Sequence, residues 1–165
     1  MGIRDAVEAD LPAIVAIYNA AIPGRMATGD LEPVSLEARR AWFREHAPAS
    51  RPIWVMEVEG RIGGWLSFQS FYGRAAYRAT AELSIYVSSA HRRRGVGRAL
   101  LAEAVRRAPA LGLRTLLGFI FAHNEPSLRL FEGLGFERWG CLPRVADLDG
   151  IERDLVIVGL RLPKA

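Results

Sequence analysis

Residues 91–100 read His-Arg-Arg-Arg-Gly-Val-Gly-Arg-Ala-Leu, and this stretch decides how the rest of the chain is interpreted. It follows the alternating apolar sequence of residues 81–88, which predicts a β-strand, and it leads into residues 96–107, which predict a helix. The two glycines let the backbone approach an anion closely, and the first-turn N–H groups of a helix have no partners within it. The arginines add charge-assisted donors. The stretch therefore predicts a turn that binds a phosphate or pyrophosphate group.

The spacing of the glycines separates this turn from two other phosphate-binding motifs. A P-loop requires G-x-x-x-x-G-K-[ST], but Lys164 is the only lysine of the chain. A dinucleotide-binding turn requires a third glycine, and Leu100 stands at that position. The segment instead matches R-x-x-G-x-G at Arg92, Gly95 and Gly97. A solvated basic helix start is the alternative at this point, because short Gly/Arg patterns recur by chance.

The composition bounds the class of protein. The chain has 165 residues, of which 50% are hydrophobic and 24% are charged, and this mixture is typical of one globular domain over residues 1–165. No apolar run reaches the ~18 residues needed to span a membrane. The first ten residues carry acids and lack the apolar stretch of a secretory signal. We therefore expect a cytoplasmic protein with no membrane partner.

Charge, cysteine and histidine content exclude further classes. The net charge of +4 permits an anionic partner, but no nucleic-acid reading element accompanies it, so we expect no nucleic-acid partner. Cys141 is the only cysteine, which precludes an intrachain disulfide, and its apolar neighbours predict a buried structural thiol. His46, His91 and His123 lack metal-ligand spacing, so we expect no metal. We also expect His91 to be an exposed turn residue.

Hydrophobic periodicity predicts a set of strands and helices. Strands are expected at residues 3–7, 53–58, 62–70, 81–88, 113–121, 136–142 and 151–160. Helices are expected at residues 11–21, from 35 to a stop at 48–52, at 96–108 and at 124–134. The near-continuous apolar run at 113–121 is typical of a buried parallel strand. The order β-α-α-β-β-β-α-β-α-β-β therefore predicts a mixed α/β fold in one domain.

A second motif lies downstream of the phosphate turn. Residues 124–136 read Asn-Glu-Pro-Ser-Leu-Arg-Leu-Phe-Glu-Gly-Leu-Gly-Phe. They resemble the N-x-x-[SA]-x-x-[LF]-[YF]-x-x-x-G-[FY] segment of the GNAT superfamily of N-acetyltransferases, as the R-x-x-G-x-G turn resembles its acyl-CoA pyrophosphate loop. The resemblance implies an α/β GNAT-type single domain, with a mixed central sheet of about seven strands splayed at the middle and about four flanking helices. It also implies that acetyl-CoA is the cosubstrate.

Residues 71–87 narrow the resemblance to a subfamily. They include the pattern R-x-A-Y-x-x-T-x-E-x-S-x-Y-V, which is similar to that of the phosphinothricin and methionine sulfoximine N-acetyltransferases. The likeness covers most of the chain. Those enzymes acetylate the α-amino group of small amino-acid analogues and are typically homodimers, so the resemblance implies such an acceptor and a homodimer.

The resemblance also assigns roles to single residues. Glu82 corresponds to the general base, which a protonated α-amine requires at pH 7, and the Val87 N–H corresponds to the donor to the thioester carbonyl. The residues implied in acceptor binding are Arg74, Tyr77, Thr80, Glu82 and Asp149. The residues implied in acetyl-CoA binding are Tyr86, Val87, Arg92, Arg93, Arg94, Gly95, Val96, Gly97, Arg98, Ala99, Asn124, Ser127 and Phe131.

The chain departs from the family pattern at three places. Phe131 stands where many superfamily members carry a tyrosine that acts as general acid, and phenylalanine cannot donate a proton. Residues 24–34 lack the aromatic side chain expected before Glu-Pro, and residues 148–154 keep only the glycine and the last aspartate of K-x-G-x-W-x-D. The segments that would line the acceptor site therefore differ from those of the family. The candidates to select a different acceptor, such as a cationic amine, are Asp149, Glu152 and Arg153.

Three alternatives to amino-acid acetylation stay open. The acceptor could be a protein N-terminus, a lysine or a polyamine, for which an open groove would replace a closed pocket around Arg74 and Tyr77. The protein could instead be an acyl-CoA-binding sensor without turnover. A nucleic-acid-binding module is the last alternative, and its DNA binding would depend steeply on salt.

Overall fold

Seven strands and four helices form the described part of the chain, residues 1–164 of a computed structural model. The strands are β1 (Gly2–Asp5), β2 (Ile53–Val58), β3 (Arg61–Ser70), β4 (Thr80–Val87), β5 (Thr115–Phe121), β6 (Glu137–Leu148) and β7 (Ile151–Arg161). The helices are α1 (Leu11–Ala21), α2 (Leu36–Arg44), α3 (Val96–Arg107) and α4 (Glu125–Glu132). The predicted order of elements is confirmed. None of these helices within residues 1–164 is long and apolar enough to cross a membrane.

One sheet holds all seven strands, in the order β1-β2-β3-β4-β5-β7-β6. β4 and β5 run parallel, and residues 80–82 pair with residues 115–117. The other neighbouring strands are antiparallel. Beyond the short parallel ladder, β4 stays paired with β3 and β5 stays paired with β7, so the two central strands diverge. The prediction of a mixed sheet that splays at its middle is therefore confirmed, as is the parallel strand over the apolar run.

Local sequence explains where three of the helices begin. The Ser35 side chain accepts a hydrogen bond from the Ala38 N–H at 3.1 Å and caps α2. The Asn124 side chain accepts from the Ser127 N–H at 3.3 Å and caps α4. α3 begins after Gly95, whose φ of 79° lies in the left-handed region that glycine adopts readily. α3 therefore starts immediately after this left-handed residue.

Different helices cover the two faces of the sheet. α3 and α4 pack on one face, where Leu83 and Phe131 belong to the larger apolar core. On the face of α1 and α2, Trp65 belongs to a second core, and Tyr86 packs against it. Successive residues of a strand point to opposite faces. Because Leu83 points toward α3 and α4, Glu82 lies on the face of α1 and α2.

Two of the predicted strand ends were wrong. β1 ends at Asp5 and does not continue to Val7, because the Val7 N–H donates to the Asp10 carboxylate at 2.8 Å as the chain turns toward α1. β6 continues past Leu142 to Leu148, because its pairing with β7 resumes at Ala146 after an irregularity. The last hairpin is therefore longer than hydrophobic periodicity alone predicted.

The environments predicted for Cys141 and His91 were also wrong. Cys141 is exposed, because β6 is the edge strand of the sheet and most of its residues face solvent. His91 is 8% exposed, because the short turn after β4 folds its ring over β3. A Cβ atom at Gly63 would lie 3.3 Å from His91 Cγ, so this glycine makes room for the ring.

Replacement of Gly118 should show how tightly α4 packs on β5. A Cβ atom at this position would lie 2.8 Å from a ring carbon of Phe131 and 2.9 Å from a methyl group of Val158. We expect Gly118→Ala to lower the free energy of unfolding by about 1–3 kcal/mol, since overpacking costs this much. Gly140→Ala is the control, because its Cβ would meet only Ile157 at an ordinary 3.8 Å. Urea unfolding measures both, and equal stability of the two variants would contradict the expectation.

Candidate functional site

The divergence of β4 from β5 leaves a gap, which we call the slot, between residues 83–87 of β4 and 118–121 of β5. The Ser88 N–H donates to the Gly63 carbonyl at 2.9 Å, in register with the β3–β4 ladder. In an antiparallel ladder, alternate residues direct both backbone groups to the same neighbour. Even-numbered residues of β4 therefore bond to β3, and Ile85 and Val87 direct their N–H and carbonyl groups into the slot.

The β5 side of the slot follows from the same alternation. The Ala122 N–H donates to the Asp154 carbonyl at 3.0 Å, in register with the β5–β7 ladder. Even-numbered residues of β5 therefore bond to β7, and Phe119 and Phe121 direct their backbone groups into the slot. Both edges thus offer backbone donors and acceptors without a strand partner. An extended ligand that carries amide groups can pair there as another strand would.

The phosphate turn lies at the wide end of the slot, directly after β4. Arg93 and Gly95 have φ values of 60° and 79°. Within residues 1–164, the backbone N–H groups of residues 93–98 make no hydrogen bond. The side chains of Arg92, Arg93 and Arg94 are exposed, and Arg94 bonds to Glu59 at 2.8 Å. A set of free N–H groups at a helix start, surrounded by arginines, fits a pyrophosphate group.

Val96 and Ala99 contribute to this turn in different ways from the arginines. The Val96 side chain is buried at 1% exposure in the larger core, so only its backbone is available to a ligand. The Ala99 N–H donates to the Gly95 carbonyl at 2.9 Å and closes the first turn of α3. Gly97 has Leu130 and Val87 beside its Cα, where a Cβ would make ordinary contacts at 3.4 and 3.5 Å.

Glu82 lies at the narrow end of the slot, where β4 and β5 last pair. Its side chain is half-buried and has no hydrogen-bond or ion-pair partner among the described residues. Burial raises the pKa of the Glu82 carboxyl above its ordinary value of 4.5. A carboxylate with no compensating cation and a raised pKa is suited to accept a proton.

The alternation of β4 adds one residue that the sequence analysis missed. Val87 is five residues from Glu82, about 16 Å along a strand, whereas Ile85 is three residues away, about 10 Å. Both direct an N–H group into the slot, and Ile85 does so closer to the carboxylate. The strand periodicity of residues 81–88 already implied that alternate residues direct their N–H groups to the same side. Only the structure shows which side is paired with β3 and which faces the slot.

The connection between β3 and β4 lies beside Glu82. Phe71 packs against Tyr77 with ring centroids 5.4 Å apart, and against Phe119 with centroids 6.4 Å apart. Phe119 and Thr80 share the sheet face of Glu82 by strand alternation. The structure therefore brings Tyr77 and Thr80 to the side of the sheet that carries the carboxylate.

Arg74 lies in the same connection and begins its short 3-10 turn. Its side chain is exposed and makes no hydrogen bond or ion pair within residues 1–164, while its backbone carbonyl accepts from the Tyr77 N–H at 2.9 Å. An unpaired guanidinium in this connection suits an acceptor that carries a carboxylate or phosphinate.

Asp149 and the loop before α2 meet across the site. Arg25 Nε donates to Asp149 Oδ2 at 2.7 Å, and this contact lowers the pKa of the Asp149 carboxyl. A pocket of about 180 Å³ lies beside the pair and is lined in part by His123 and Arg153. Arg25 partly balances the charge of the exposed Asp149 carboxylate, and the selection of an acceptor by Asp149 stays a prediction. Residues 24–34 and 148–154, the two segments that depart from the family pattern, thus contact each other.

Three residues implied in acetyl-CoA binding have other partners here. The Asn124 amide accepts from the Ser127 N–H and donates to the Met26 carbonyl at 3.1 Å. The Tyr86 ring stacks on Trp65 with centroids 4.9 Å apart. Phe131 is 3% exposed and lies within the larger core. These side chains serve the fold, and their contact with a ligand stays a prediction.

No group of three or more His, Cys, Asp or Glu side chains within residues 1–164 is arranged to hold a metal ion. His46 Nδ1 lies 2.7 Å from the Trp42 carbonyl, and His123 Nε2 lies 2.8 Å from the Arg25 carbonyl. Both imidazoles therefore have protein partners.

The sequence of this chain matches a known family and named proteins. The profile of the acetyltransferase (GNAT) family matches residues 14–136. A Bacillus subtilis (strain 168) protein named "Putative phosphinothricin acetyltransferase YwnH" is 53% identical over 163 residues, which cover 98% of this chain and 99% of that protein. The L-methionine sulfoximine/L-methionine sulfone acetyltransferase of Pseudomonas aeruginosa (strain PAO1) is 38% identical over 161 residues, which cover 97% of this chain and 94% of that protein.

One solved structure of similar fold contains acetyl-CoA. The crystal structure of a GNAT superfamily phosphinothricin acetyltransferase from Sinorhizobium meliloti, in complex with AcCoA, matches with a TM-score of 0.92 and 33% identity. The match covers 98% of this chain and 88% of that chain.

Proposed function

We propose that this chain, which belongs to the acetyltransferase (GNAT) family and is an N-acetyltransferase, transfers the acetyl group of acetyl-CoA to the α-amino group of a small amino acid or analogue. The observation that carries the proposal is the slot, with the unpartnered carboxylate of Glu82 at its narrow end and the phosphate turn at its wide end. The relatives named for phosphinothricin and methionine sulfoximine support an acceptor of that class.

The residues of the slot fit acetyl-CoA, which supplies an activated thioester. The free N–H groups of residues 93–98 and the neighbouring arginines would hold the pyrophosphate. The amide groups of the pantetheine arm would pair with the backbone of Ile85 and Val87, which have no strand partner on that side. The arm would then reach from the phosphate turn toward Glu82, along the divergence of the two strands.

Glu82 prepares the acceptor in this proposal. An α-amino group is protonated at pH 7 and is not nucleophilic in that form, so the ionised carboxylate accepts its proton directly or through one water molecule. The backbone N–H of Ile85 or Val87 that the pantetheine amides leave free donates to the carbonyl oxygen as negative charge develops on it. The CoA thiol has a pKa near 8.5, so its departure does not require the strong acid that Phe131 cannot supply.

Transfer would proceed directly in a ternary complex, because holding both reactants side by side supplies much of the rate. Cys141 is exposed on the edge strand β6, and β7 separates this strand from the slot. The protein thiol is therefore badly placed to form an acyl-enzyme.

The exposed side of β6 supports a homodimer. Trp139, Leu142, Val145 and Ile151 are between 42% and 57% exposed on the hairpin that β6 forms with β7, and β6 has no strand on its outer edge. Exposed apolar clusters of this kind mark interaction surfaces. A second copy of the chain would cover this hairpin, as the resemblance to dimeric enzymes implies.

Replacement of Val145 tests the dimer without disturbing the core. We expect Val145→Glu to convert the dimer to a monomer in light scattering after gel filtration, because a buried unpaired carboxylate is costly. Val7→Glu is the matched control, since Val7 is 54% exposed and Val145 is 57% exposed. A wild-type protein that is monomeric at tens of micromolar would refute the dimer.

Replacement of Glu82 tests the reaction and the base together. We expect wild-type protein to release CoA thiol from acetyl-CoA with methionine sulfoximine, methionine sulfone or phosphinothricin, and Glu82→Gln to lower kcat about 10²–10⁴-fold. Because burial raises the pKa of Glu82, the wild-type rate should fall as the pH is lowered, with a midpoint above pH 4.5. The variant should lose this dependence.

The same assay is run with free amino acids, polyamines and a lysine peptide as acceptors. Turnover restricted to a peptide or a polyamine would replace the proposed acceptor class. CoA binding without release of thiol from acetyl-CoA in the presence of any amine would favour an acyl-CoA-binding sensor without turnover.

The phosphate turn can be tested by a pair of glycines. Gly95 and Gly112 both have positive φ, 79° and 78°, and neither has a neighbour within 4 Å of a built Cβ. Alanine costs about 1–2 kcal/mol in this conformation, so both variants should lose similar stability. We expect only Gly95→Ala to weaken CoA binding, by about tenfold in calorimetry, because only this glycine shapes the turn. Equal affinity of the two variants would place the pyrophosphate elsewhere.

A further inference from the structure

Gln69 lies directly across from Glu82, on the neighbouring strand β3. The two residues are partners in the β3–β4 register, and partners in an antiparallel ladder point to the same face of the sheet. Because even-numbered residues of β4 bond to β3, the Cα atoms of this pair lie about 5.5 Å apart. Glutamine and glutamate side chains have the same length, so the amide and the carboxylate can reach the same height above the sheet.

The Gln69 amide has no hydrogen-bond partner among residues 1–164, although its side chain is half-buried. Glu82 is also half-buried and without a partner in this part of the chain. Burial raises the pKa of the Glu82 carboxyl, and no hydrogen bond from Gln69 offsets this effect. Two groups that each bond to one shared atom lie roughly 4.5–5.5 Å apart, given ordinary hydrogen-bond lengths. The spacing of the pair therefore suits two side chains that bind one nitrogen atom between them.

On its other side, Glu82 has apolar neighbours in the same row of the sheet. Leu117 is its partner on β5 and is 7% exposed. Gly159 is the partner of Leu117 on β7, and a Cβ atom at this glycine would overlap the Trp139 ring. The ring therefore covers Gly159 on the face that carries Glu82. Across the row, Gln69 is the polar neighbour of the carboxylate among residues 1–164.

The polar residues that follow on the same strand face are farther away. Thr80 and Ser84 are each two residues from Glu82, about 7 Å along β4. Gln69 is thus the nearest side chain on this face that can share a hydrogen-bonding group with the carboxylate.

We propose that Gln69 binds the amino group of the acceptor together with Glu82. The proposal rests on the proposed acetyl transfer to an amine. An ammonium group has three N–H donors, of which Glu82 accepts one and the Gln69 amide oxygen accepts another. When Glu82 removes its proton, the bond to Gln69 limits the directions in which the new lone pair can point, and such orientation raises the rate. The nitrogen then bonds to the acetyl carbon, the C–S bond breaks, and the second proton passes to the sulfur.

A neutral amide suits this role better than a second carboxylate. The amide oxygen accepts an N–H without adding charge, so it holds the ammonium group with little extra stabilisation of the protonated form. A carboxylate at position 69 would place a like charge about 5.5 Å from Glu82. Together the two charges would hold the ammonium group more tightly and oppose its deprotonation.

Two variants of similar size separate this role from a structural one. Gln69→Met keeps the length of the side chain and removes the amide, whereas Gln69→Glu keeps an acceptor and adds a charge. Ser70→Ala is the matched control. Ser70 follows Gln69 on β3, points to the opposite face and accepts a hydrogen bond from Arg51 Nε at 3.2 Å.

The experiment measures steady-state kinetics with methionine sulfone, or with another tested amine if wild type acetylates that one faster. We expect Gln69→Met to raise the KM of the acceptor about ten- to a hundredfold, as loss of a hydrogen bond to a charged group predicts. Gln69→Glu should lower both the acceptor KM and kcat, because the second carboxylate holds the ammonium group and opposes its deprotonation. Ser70→Ala should resemble wild type. In all three variants the KM of acetyl-CoA should stay within about twofold, because the phosphate turn is unchanged.

Calorimetry provides a readout that does not depend on turnover. The same amine is titrated into each protein with CoA bound. Its affinity should be highest for Gln69→Glu, lower for wild type and Ser70→Ala, and lowest for Gln69→Met. A general loss of stability cannot produce shifts in opposite directions at one position.

Three results would overturn the role of Gln69. One is an acceptor KM and affinity that stay at the wild-type values in Gln69→Met. Another is a shift in the same direction in Gln69→Met and Gln69→Glu, and the third is an equal loss in Ser70→Ala, which would place the effect in strand β3 as a whole. If the proposed function itself fails, wild type and Ser70→Ala release no thiol with any amine, whereas failure of the Gln69 role alone leaves their turnover intact.

Discussion

The short parallel pairing between β4 and β5 is the constraint on which the rest of the site depends. Only residues 80–82 and 115–117 pair before the strands separate. Each strand keeps a full antiparallel ladder on its other side, with β3 or with β7, so neither loses its place in the sheet. The backbone groups left at the slot require water or a ligand, because unpaired backbone groups are costly when buried. The fold therefore carries a place for an amide-containing chain.

Glu82 owes its properties to its position at the point where the pairing ends. The strand alternates apolar and polar residues, and the apolar ones, such as Leu83, are held by the core under α3 and α4. This fixes Glu82 on the opposite face, half-buried and without a cation, so that its pKa rises. A base in an amine acetyltransferase benefits from this environment, because a carboxylate with a raised pKa removes a proton more readily from an ammonium group.

The two faces of the sheet carry different parts of the site. The phosphate turn and α3 lie on one side, and residues 25–27, α1 and the connection that carries Tyr77 lie on the other. The slot joins the two sides through the sheet. An acyl donor held by its pyrophosphate can therefore meet an amine held near Glu82 without sharing its entrance, and this separation lets the acceptor wall vary while the donor site stays the same.

The sequence by itself determined the element order, the phosphate turn, the family and the candidate base, because each depends on residues that are neighbours in the chain. Strand alternation placed Glu82, and two glycines with adjacent arginines specified the turn. The tertiary structure decided which distant segments meet beside the slot. The His123–Arg25 and Arg25–Asp149 contacts join residues 98 and 124 positions apart, and no local pattern encodes them. Cys141 and His91 were misplaced for the same reason, since burial depends on which strand lies at the edge and which turn folds over its neighbour.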